Sequence, residues 1–363
     1  MTNIHQRVQA AVAAFARGEI VVVTDDDDRE NEGDLFVAAT LCTPEKMGFI
    51  IRHTSGIVCA PLDASLAKKL HLDPMVSQND APLGTAFTVS VDVRHGLTTG
   101  ISAEERTNTV RALANGNSGA ADFVRPGHVF PLVAKDGGVL MRSGHTEACV
   151  DLCRLADLPP VGVLAELMND DGSVMRGPQV AEFAKRHQLH ELSIADLIAY
   201  RQVRDKLVER VGEFPVSSQV GPLKGYAYIT PFDPQHHMAF VYGGIEDGKD
   251  VLVRLHRADI IGDVFGGAKT VNAALNRFKT EGRGVIVYLR DGTAGVPITA
   301  IPKDGDTGSD AARIRQWREI GLGAQILKDL GISSIRLLTS KKMTYVGLGG
   351  FGIEITSTEA IES

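Results

Sequence analysis

The chain has 363 residues, of which 44% are hydrophobic and 23% charged, a composition typical of a globular protein long enough for two domains. Its formal net charge of −7 excludes the basic surface of a typical nucleic-acid-binding protein and disfavours an anionic membrane surface. No apolar run approaches the length of a membrane span, and polar residues interrupt the N-terminal segment before it resembles a signal peptide. We therefore expect a cytoplasmic protein that binds neither nucleic acid nor membrane.

The four cysteines, Cys42, Cys59, Cys149 and Cys153, all lie in the first half. Four thiols are too few for a disulfide framework in a chain of this length, and Cys149 with Cys153 alone cannot build a structural zinc site. Reduced thiols, as in the cytosol, are the expected state.

The first half mixes helices and strands without strict alternation. The apolar spacing of Ile4, Val8, Val12 and Phe15 predicts an N-terminal helix. A Ser followed three residues later by a Glu predicts a capped helix over 102–115. The other predicted elements are strands over 19–24, 34–40 and 86–93, helices over 44–53, 64–70 and 178–187, and an amphipathic helix over 194–210. Together these elements favour a mixed α+β domain.

A change of composition separates the two halves. Residues 212–225 are rich in Gly, Pro and Ser, which predicts a linker or domain entry, and we place the domains at 1–207 and 208–363. The predicted elements of the second half are strands over 223–230, 237–243, 250–256, 284–289 and 332–339, and helices over 267–280 and 310–330, the latter holding Trp317. A second α/β domain is expected.

A run of carboxylates follows the first predicted strand. Residues 25–34 read DDDDRENEGD and include seven Asp or Glu. Like charges about 4 Å apart repel by roughly 1 kcal/mol in water and 4 kcal/mol at an effective dielectric constant of 20, so such a turn needs a cation. Arg29 is one cation, and Mg²⁺ or Mn²⁺, which prefer oxygen ligands, is the other. The alternative is an ordinary solvated loop.

A second polar cluster, RSGHT, occupies residues 142–146 between two apolar stretches. Arg supplies paired donors to a phosphate, Gly permits close backbone approach, and His offers an imidazole to a metal or a proton. At the end of a strand, this pattern indicates a phosphate or metal site. The alternative for the histidine is a satisfied core residue.

Both clusters closely resemble the signature motifs of 3,4-dihydroxy-2-butanone 4-phosphate synthase. The matching segments are DDDDRENEGDL at 25–35, TTGISAEER at 98–106, RPGHVFPL at 125–132, RSGHTEACVDL at 142–152 and VLAELMNDDGSVMR at 163–176. The resemblance runs from about residue 5 to 205 in the family's order. It implies conversion of D-ribulose 5-phosphate to L-3,4-dihydroxybutan-2-one 4-phosphate and formate in riboflavin synthesis, with two Mg²⁺ or Mn²⁺ ions per site and a homodimer.

The resemblance also implies roles for individual residues. Glu30 and His145 match metal ligands, and the implied catalytic residues are His128, Glu166 and Glu32. The implied substrate contacts are Arg29, Glu30, Asp34, Arg142, Ser143, Gly144, His145, Thr146 and Glu166. The apolar neighbours of Glu166 themselves predict a raised pKa. The alternatives are a capping or core role for His128 and a salt-bridged structural role for Glu166.

The second half resembles GTP cyclohydrolase II over roughly 215–355. The matching segments are VLVRLHRADIIGDVFGG at 251–267, GLGAQILKDLGI at 321–332 and VGLGGFGIEI at 346–355. That family binds zinc through three cysteines, and no cysteine follows Cys153, so we expect no zinc and a non-catalytic second domain. The alternatives are a bifunctional enzyme and a binding protein with two inactive domains. Without the resemblance, a generic divalent-metal aldolase or isomerase is favoured.

Overall fold

The computed structural model describes residues 3–25, 31–81, 83–230, 233–290, 321–339 and 353–361. The chain divides into two compact units, Met1–Tyr200 and Arg201–Ser363. The boundary predicted between residues 207 and 208 lies close to this division and stays a prediction. None of the helices within the described ranges is long and apolar enough to cross a membrane.

The first unit alternates short strands and helices. Its elements are α1 (Asn3–Ala16), β1 (Val21–Thr24), β2 (Gly33–Ala38), α2 (Pro44–His53), β3 (Cys59–Leu62), α3 (Ala64–Lys69), β4 (Val91–Val93), α4 (Ala103–Ala114), β5 (Phe123–Val133), α5 (His145–Leu155), β6 (Gly162–Glu166), α6 (Pro178–His187), β7 (His190–Ser193) and α7 (Ile194–Arg204).

The strands of this unit form one mixed sheet in the order β4-β5-β3-β6-β2-β1-β7. β1 is parallel to β7 and β3 to β5, whereas the other neighbours are antiparallel. Apolar residues of α2, α4 and α6 join one face of the sheet in a single buried cluster, while α1 and α5 pack on the opposite face. Helices on both faces of a mixed sheet confirm the predicted α+β class.

The capped helix predicted at residue 102 is confirmed. The Ser102 hydroxyl accepts a hydrogen bond from the Glu105 backbone N–H at 3.1 Å, and the Glu105 carboxylate accepts one from Ser102 N–H at 3.4 Å. This reciprocal pair satisfies two N–H groups that the helix itself leaves unbonded. α4 therefore begins at Ala103, close to the predicted start.

The second unit contains a second mixed sheet. Its elements are β8 (Glu209–Ser218), β9 (Gly221–Thr230), β10 (Asp233–Tyr242), β11 (Val251–Arg257), α8 (Lys269–Glu281), β12 (Gly284–Leu289), β13 (Ser334–Thr339) and β14 (Glu354–Ala360), with a helix over 321–329. The strand order is β14-β13-β11-β12-β10-β9-β8. The helix predicted over 310–330 is described only from residue 321 onward, so Trp317 lies outside the described residues.

Two predictions at the junction of the units need correction in detail. The helix predicted over 194–210 ends at Arg204, and the segment predicted as a linker or domain entry is the hairpin of β8 and β9, with which the second sheet begins. The Pro and Gly residues of this hairpin, which suggested a break in regular structure, occupy specific positions in the sheet. Pro215 lies on β8, an edge strand that needs fewer backbone donors, and Gly225 lies under the Phe214 ring, where a Cβ atom would approach to 2.4 Å.

Candidate active site

Two acidic side chains meet on neighbouring strands of the first sheet. Asp34 on β2 pairs directly with Glu166 on β6, so both project from the same face. Cys59 on β3 pairs with Leu164, two residues before Glu166, and therefore shares that face. It is the face on which α5 packs. Asp34 is buried, whereas Glu166, the last residue of its strand, is exposed.

His145, the first residue of α5, lies above these carboxylates. Its Nε2 atom is 4.0 Å from Oδ1 of Asp34, and the two side chains are only 11% and 3% exposed. The ring packs edge-on against Phe36, two residues along β2, with 6.1 Å between centroids. The fold thus brings together two predicted site residues that are more than a hundred positions apart in sequence.

The RSGHT cluster is at a helix N-terminus, and the strand end predicted for it is wrong. A short 3₁₀ turn at Gly138–Leu140 precedes it, Gly144 is the N-cap of α5, and no side chain caps this helix. The first N–H groups of a helix have no partner within it and attract anions. Ser143 and Thr146 are buried beside this end.

The described part of the acidic turn is closed by Asp25 and Glu32. Asp25 N–H donates to the Glu32 carbonyl at 3.3 Å, and Glu32 N–H donates to Oδ1 of Asp25 at 2.9 Å. Arg176, which the sequence did not single out, donates to the Glu32 carboxylate at 3.1 Å. Arg29 and Glu30 lie outside the described residues.

Glu166 has the raised pKa that its apolar neighbours predicted. Although Glu166 as a whole residue is exposed at the end of its strand, its carboxyl is partly shielded from water, and this partial burial raises its pKa. The nearby Glu32 charge raises the pKa further, and a hydrogen bond with the Ser55 side chain opposes both effects. The Glu166 backbone carbonyl also accepts a hydrogen bond from Ser55 N–H at 2.9 Å. Burial and the charges of Glu166 and Asp34 raise the pKa of Cys59 as well, which keeps this thiol protonated.

His128 lies on β5, which β3 separates from β6, so its strand is about 10 Å from that of Glu166. Its Nδ1 atom is 2.7 Å from Oδ2 of Asp92, and its N–H donates to Oδ1 of Asp92 at 2.8 Å. Asp92 is 2% exposed and holds the imidazole in one orientation. Sequence reasoning missed Asp92, although a polar residue inside the predicted strand 86–93 was a signal.

Arg142, predicted to contact substrate, is held by the protein itself. Its Nη1 donates to the Glu147 carboxylate at 2.7 Å, and its Nη2 donates to the Leu83 carbonyl and the Thr85 hydroxyl, both at 3.2 Å. Glu147 is 1% exposed and also accepts from Lys135 N–H at 3.0 Å. This pairing fixes the backbone that leads into Gly144 and His145.

The donors at the start of α5 suit a divalent cation. Two ligands of one Mg²⁺ ion, each at 2.0–2.1 Å, are at most about 4.2 Å apart, and the His145 to Asp34 distance of 4.0 Å is within that span. Within the described ranges, no group of three or more His, Cys, Asp or Glu side chains is arranged to hold a metal. Glu30, the other predicted ligand, is outside those ranges.

The second unit has its own polar cluster at the end of β11. His256 Nε2 lies 2.9 Å from Asp263, and the Tyr288 hydroxyl donates to the same carboxylate at 2.6 Å. The His256 ring stacks on Tyr288 with 5.2 Å between centroids. The hydrogen bonds from Tyr288 and His256 lower the pKa of Asp263 against the opposing effect of burial. The cluster is a buried, oriented imidazole beside a carboxylate.

Comparison with known proteins identifies the first unit. A family model for 3,4-dihydroxy-2-butanone 4-phosphate synthase matches residues 9–200, more than half of the chain. The chain belongs to the 3,4-dihydroxy-2-butanone 4-phosphate synthase family. The Arabidopsis thaliana protein named bifunctional riboflavin biosynthesis protein RIBA 1, chloroplastic, is 46% identical over 96% of this chain and 67% of its own length.

Solved structures of 3,4-dihydroxy-2-butanone 4-phosphate synthases share this fold. RibBX from A. baumannii, described as a two-domain 3,4-dihydroxy-2-butanone 4-phosphate synthase, is 37% identical with a TM-score of 0.82, covering 98% of this chain and 99% of its own. A synthase crystallised with two magnesium ions is 45% identical with a TM-score of 0.54, covering 55% of this chain and 99% of its own.

The expectation that the second half of this synthase is non-catalytic is wrong. A GTP cyclohydrolase II family model matches residues 209–360. The Arabidopsis relative, which aligns with nearly the whole chain, is named bifunctional. These findings favour the bifunctional alternative.

Proposed function

We propose that the first unit converts D-ribulose 5-phosphate to L-3,4-dihydroxybutan-2-one 4-phosphate and formate, as a step of riboflavin biosynthesis. The observation that carries this proposal is the convergence of Asp34, Glu166 and His145 on one face of the sheet, beside the open N-terminus of α5. Carboxylates and an imidazole at this spacing serve proton transfer and cation binding, and the helix end serves a phosphate. Family membership supports the same reaction.

The positions of the site residues suggest which of them bind the metal ions and which bind the phosphate. The protein ligands of Mg²⁺ or Mn²⁺ would be His145, Asp34 and, by resemblance, Glu30. Two ions per site would supply Lewis-acid polarisation of the sugar oxygens. The N–H groups at the start of α5, with Ser143 and Thr146, bind the phosphate.

Proton transfer falls to two groups in this proposal. Glu166, whose raised pKa brings it toward neutrality, accepts and returns a proton on one side of the sugar. His128, oriented by Asp92, accepts and returns a proton from β5, which lies two strand spacings from the strand of Glu166. By resemblance, Glu32 on the acidic turn is the third catalytic residue, and Arg29 on the same turn contacts the substrate.

A purified full-length chain tests this proposal. With ribulose 5-phosphate and Mg²⁺ we expect formate and the four-carbon phosphate to form, EDTA to abolish the reaction, and Mg²⁺ or Mn²⁺ to restore it. His145→Ala should lower kcat by at least about 100-fold, because several kcal/mol of charge stabilisation depend on the ion. His190→Ala, an exposed histidine on the edge strand β7, is the matched control. An active wild type that is indifferent to EDTA would contradict the metal site.

GTP cyclohydrolase II is the second candidate activity, favoured by the family match over 209–360 and by the bifunctional relative. No cysteine follows Cys153, so a catalytic metal in this half would rest on imidazole and carboxylate ligands. Incubation with GTP and Zn²⁺ should release formate and pyrophosphate, and His145→Ala should leave this release unchanged. Release no greater than in a protein-free blank would reject the second activity.

The assembly and location belong to the same proposal. We expect a homodimer, as the family resemblance implies, and a cytoplasmic enzyme. Light scattering on a sizing column gives the mass directly. A mass of one chain, 38.9 kDa, at concentrations where the enzyme is active would contradict the dimer.

A further inference from the structure

Arg106 on α4 is a buried cation without a full set of hydrogen bonds. It is 5% exposed, its Nη1 donates to the Gly56 carbonyl at 2.9 Å, and its Nε has no hydrogen-bond partner. Burying a guanidinium with unused donors costs stability, because its lost hydration is replaced only in part. Arg106 ends the TTGISAEER segment, and no role in the site has been assigned to it so far.

On one side, α4 packs against β4, the strand that holds Asp92, and the Thr109 hydroxyl of α4 accepts a hydrogen bond from Val93 N–H of β4 at 3.0 Å. Burial lowers the pKa of the Arg106 guanidinium, and the charge of Asp92 opposes this effect, so the two charges interact through the protein interior. Asp92 itself accepts two hydrogen bonds from His128, at 2.7 and 2.8 Å. A cation at this point favours the ionised carboxylate that holds the ring.

On the other side, Arg106 fixes the segment that contacts Glu166. Gly56 follows Ser55, whose N–H donates to the Glu166 carbonyl at 2.9 Å and whose side chain bonds the Glu166 carboxyl. The Thr54 hydroxyl accepts from Gly56 N–H at 3.2 Å, which completes a tight turn. The Arg106 hydrogen bond holds this turn from the side of α4.

We propose that Arg106 is a positioning residue that fixes His128, through Asp92, and Glu166, through the Ser55–Gly56 turn, in one relative arrangement. His128 and Glu166 come from strands separated by β3, so no direct contact sets their spacing. The Arg106 guanidinium links the two supports, because it hydrogen-bonds the Gly56 carbonyl and its charge acts on Asp92 of the adjoining strand. The inference rests on the proposed synthase activity, since it assigns these two groups to one reaction.

Steady-state kinetics of Arg106→Met and Arg106→Lys test the proposal. Arg106→Met should lower kcat by roughly 10- to 100-fold, the usual cost of losing an outer-shell partner, with KM changed less than about threefold. Arg106→Lys keeps a positive charge near Asp92 but loses the guanidinium that hydrogen-bonds the Gly56 carbonyl. Its kcat should therefore fall between those of Arg106→Met and wild type. Arg111→Met, an exposed arginine on the same helix, should match wild type.

A double-mutant cycle separates positioning from a general loss of packing. If Arg106 acts through the Ser55–Gly56 turn, its replacement should lower kcat less in a Ser55→Ala background than in wild type. A packing defect alone would multiply the two losses independently, and that result would overturn the proposal. Thermal melting of each variant shows whether it is folded, and if Arg106→Met fails to fold, Arg106→Lys carries the test.

The two hypotheses fail in different ways. A wild type without synthase activity rejects the proposed function. An active wild type whose Arg106→Met and Arg106→Lys variants keep full kcat rejects only the role of Arg106.

Discussion

Gly100 occupies a position where the fold leaves no room for a side chain. Its φ is +84°, and a Cβ atom there would lie 2.1 Å from Oδ2 of Asp92 and 2.7 Å from Nδ1 of His128. The surrounding loop is held by Glu105, whose carboxylate accepts from the N–H and hydroxyl of Thr98 at 2.7 and 2.8 Å. A methyl group at this point therefore pushes on the Asp92–His128 pair.

Gly100→Ala should consequently lower kcat by at least about tenfold, because the pair that orients His128 has to shift. The matched control is Gly96→Ala, since Gly96 also has a positive φ, +75°, but has nothing within 4 Å of the added atom. Both changes carry a backbone cost of about 1–2 kcal/mol, seen in urea unfolding, whereas only Gly100→Ala should affect kcat. Equal kcat values for the two variants would count against the role of His128.

Ser55 adjusts the protonation of Glu166. Its side-chain hydrogen bond lowers the pKa of this carboxyl, against the raising effects of burial and Glu32. Ser55→Ala removes the lowering contribution, so the pKa of Glu166 rises. The limb of the kcat/KM profile that reports Glu166 should move to higher pH, measured between pH 5 and 9. Ser77→Ala, an exposed serine, should leave the profile in place, and a shift to lower pH would refute the assignment.

α5 is held in the fold by carboxylates on its buried side. Glu147 accepts from Arg142 and from Lys135 N–H, and one turn later Asp151 accepts from Val139 N–H at 2.8 Å. Both carboxylates are at most 2% exposed. They attach the loop over 135–142 to the helix that begins at His145.

Glu147→Ala should destabilise the first unit by about 2–3 kcal/mol, because it leaves the Arg142 charge without its partner. Loss of one member of a fully buried pair costs about 3–5 kcal/mol, and Arg142 retains 19% exposure, which reduces the cost. Glu182→Ala breaks the exposed pair with Arg186 on α6 and should cost no more than about 0.5 kcal/mol. Urea midpoints compare the two, and similar values would show that Glu147 is not a structural anchor.

Two elements of the first unit that the sequence did not predict, α5 and β6, are almost entirely buried. α5 was not predicted, because every residue from Thr146 to Cys153 is buried and so no polar face marks its period. β6 is buried over its first four residues and lacks alternation for the same reason. α4, in contrast, has both exposed and buried residues, and the capping residues Ser102 and Glu105 indicate where it begins.

Some residues of the site can likewise be predicted from the sequence, and others only from the structure. Motif order gave Asp34, His145 and Glu166 as site residues, and β-sheet register brings the first and last of these side by side. Asp92 and Arg106 act through contacts with residues distant in sequence, since 36 positions separate Asp92 from His128 and 50 separate Arg106 from Gly56. The amino-acid types alone do not show which distant residues contact each other, because those contacts depend on the strand order.

At the scale of the whole molecule, the first unit contains every described residue proposed for the synthase reaction. The hydrophobic cluster on the face covered by α2, α4 and α6 consists of buried residues between 20 and 184. Its first and last helices are joined within the unit, since Arg7 donates to Asp196 at 2.7 Å and the His5 and Tyr200 rings lie 4.8 Å apart. This cluster and the described residues of the proposed site all precede residue 207.

A fragment of residues 1–207 should therefore fold alone and keep the kcat of the synthase reaction within about twofold, still dependent on Mg²⁺, because it contains the compact unit Met1–Tyr200 with this cluster and these site residues. Residues 208–363 expressed separately should have no synthase activity. Circular dichroism and formate release measure folding and rate in the same preparations. A folded but inactive 1–207 fragment that regains activity only when mixed with 208–363 would show that the second unit takes part in the synthase reaction, and would contradict both the domain boundary and the assignment of the site to the first unit.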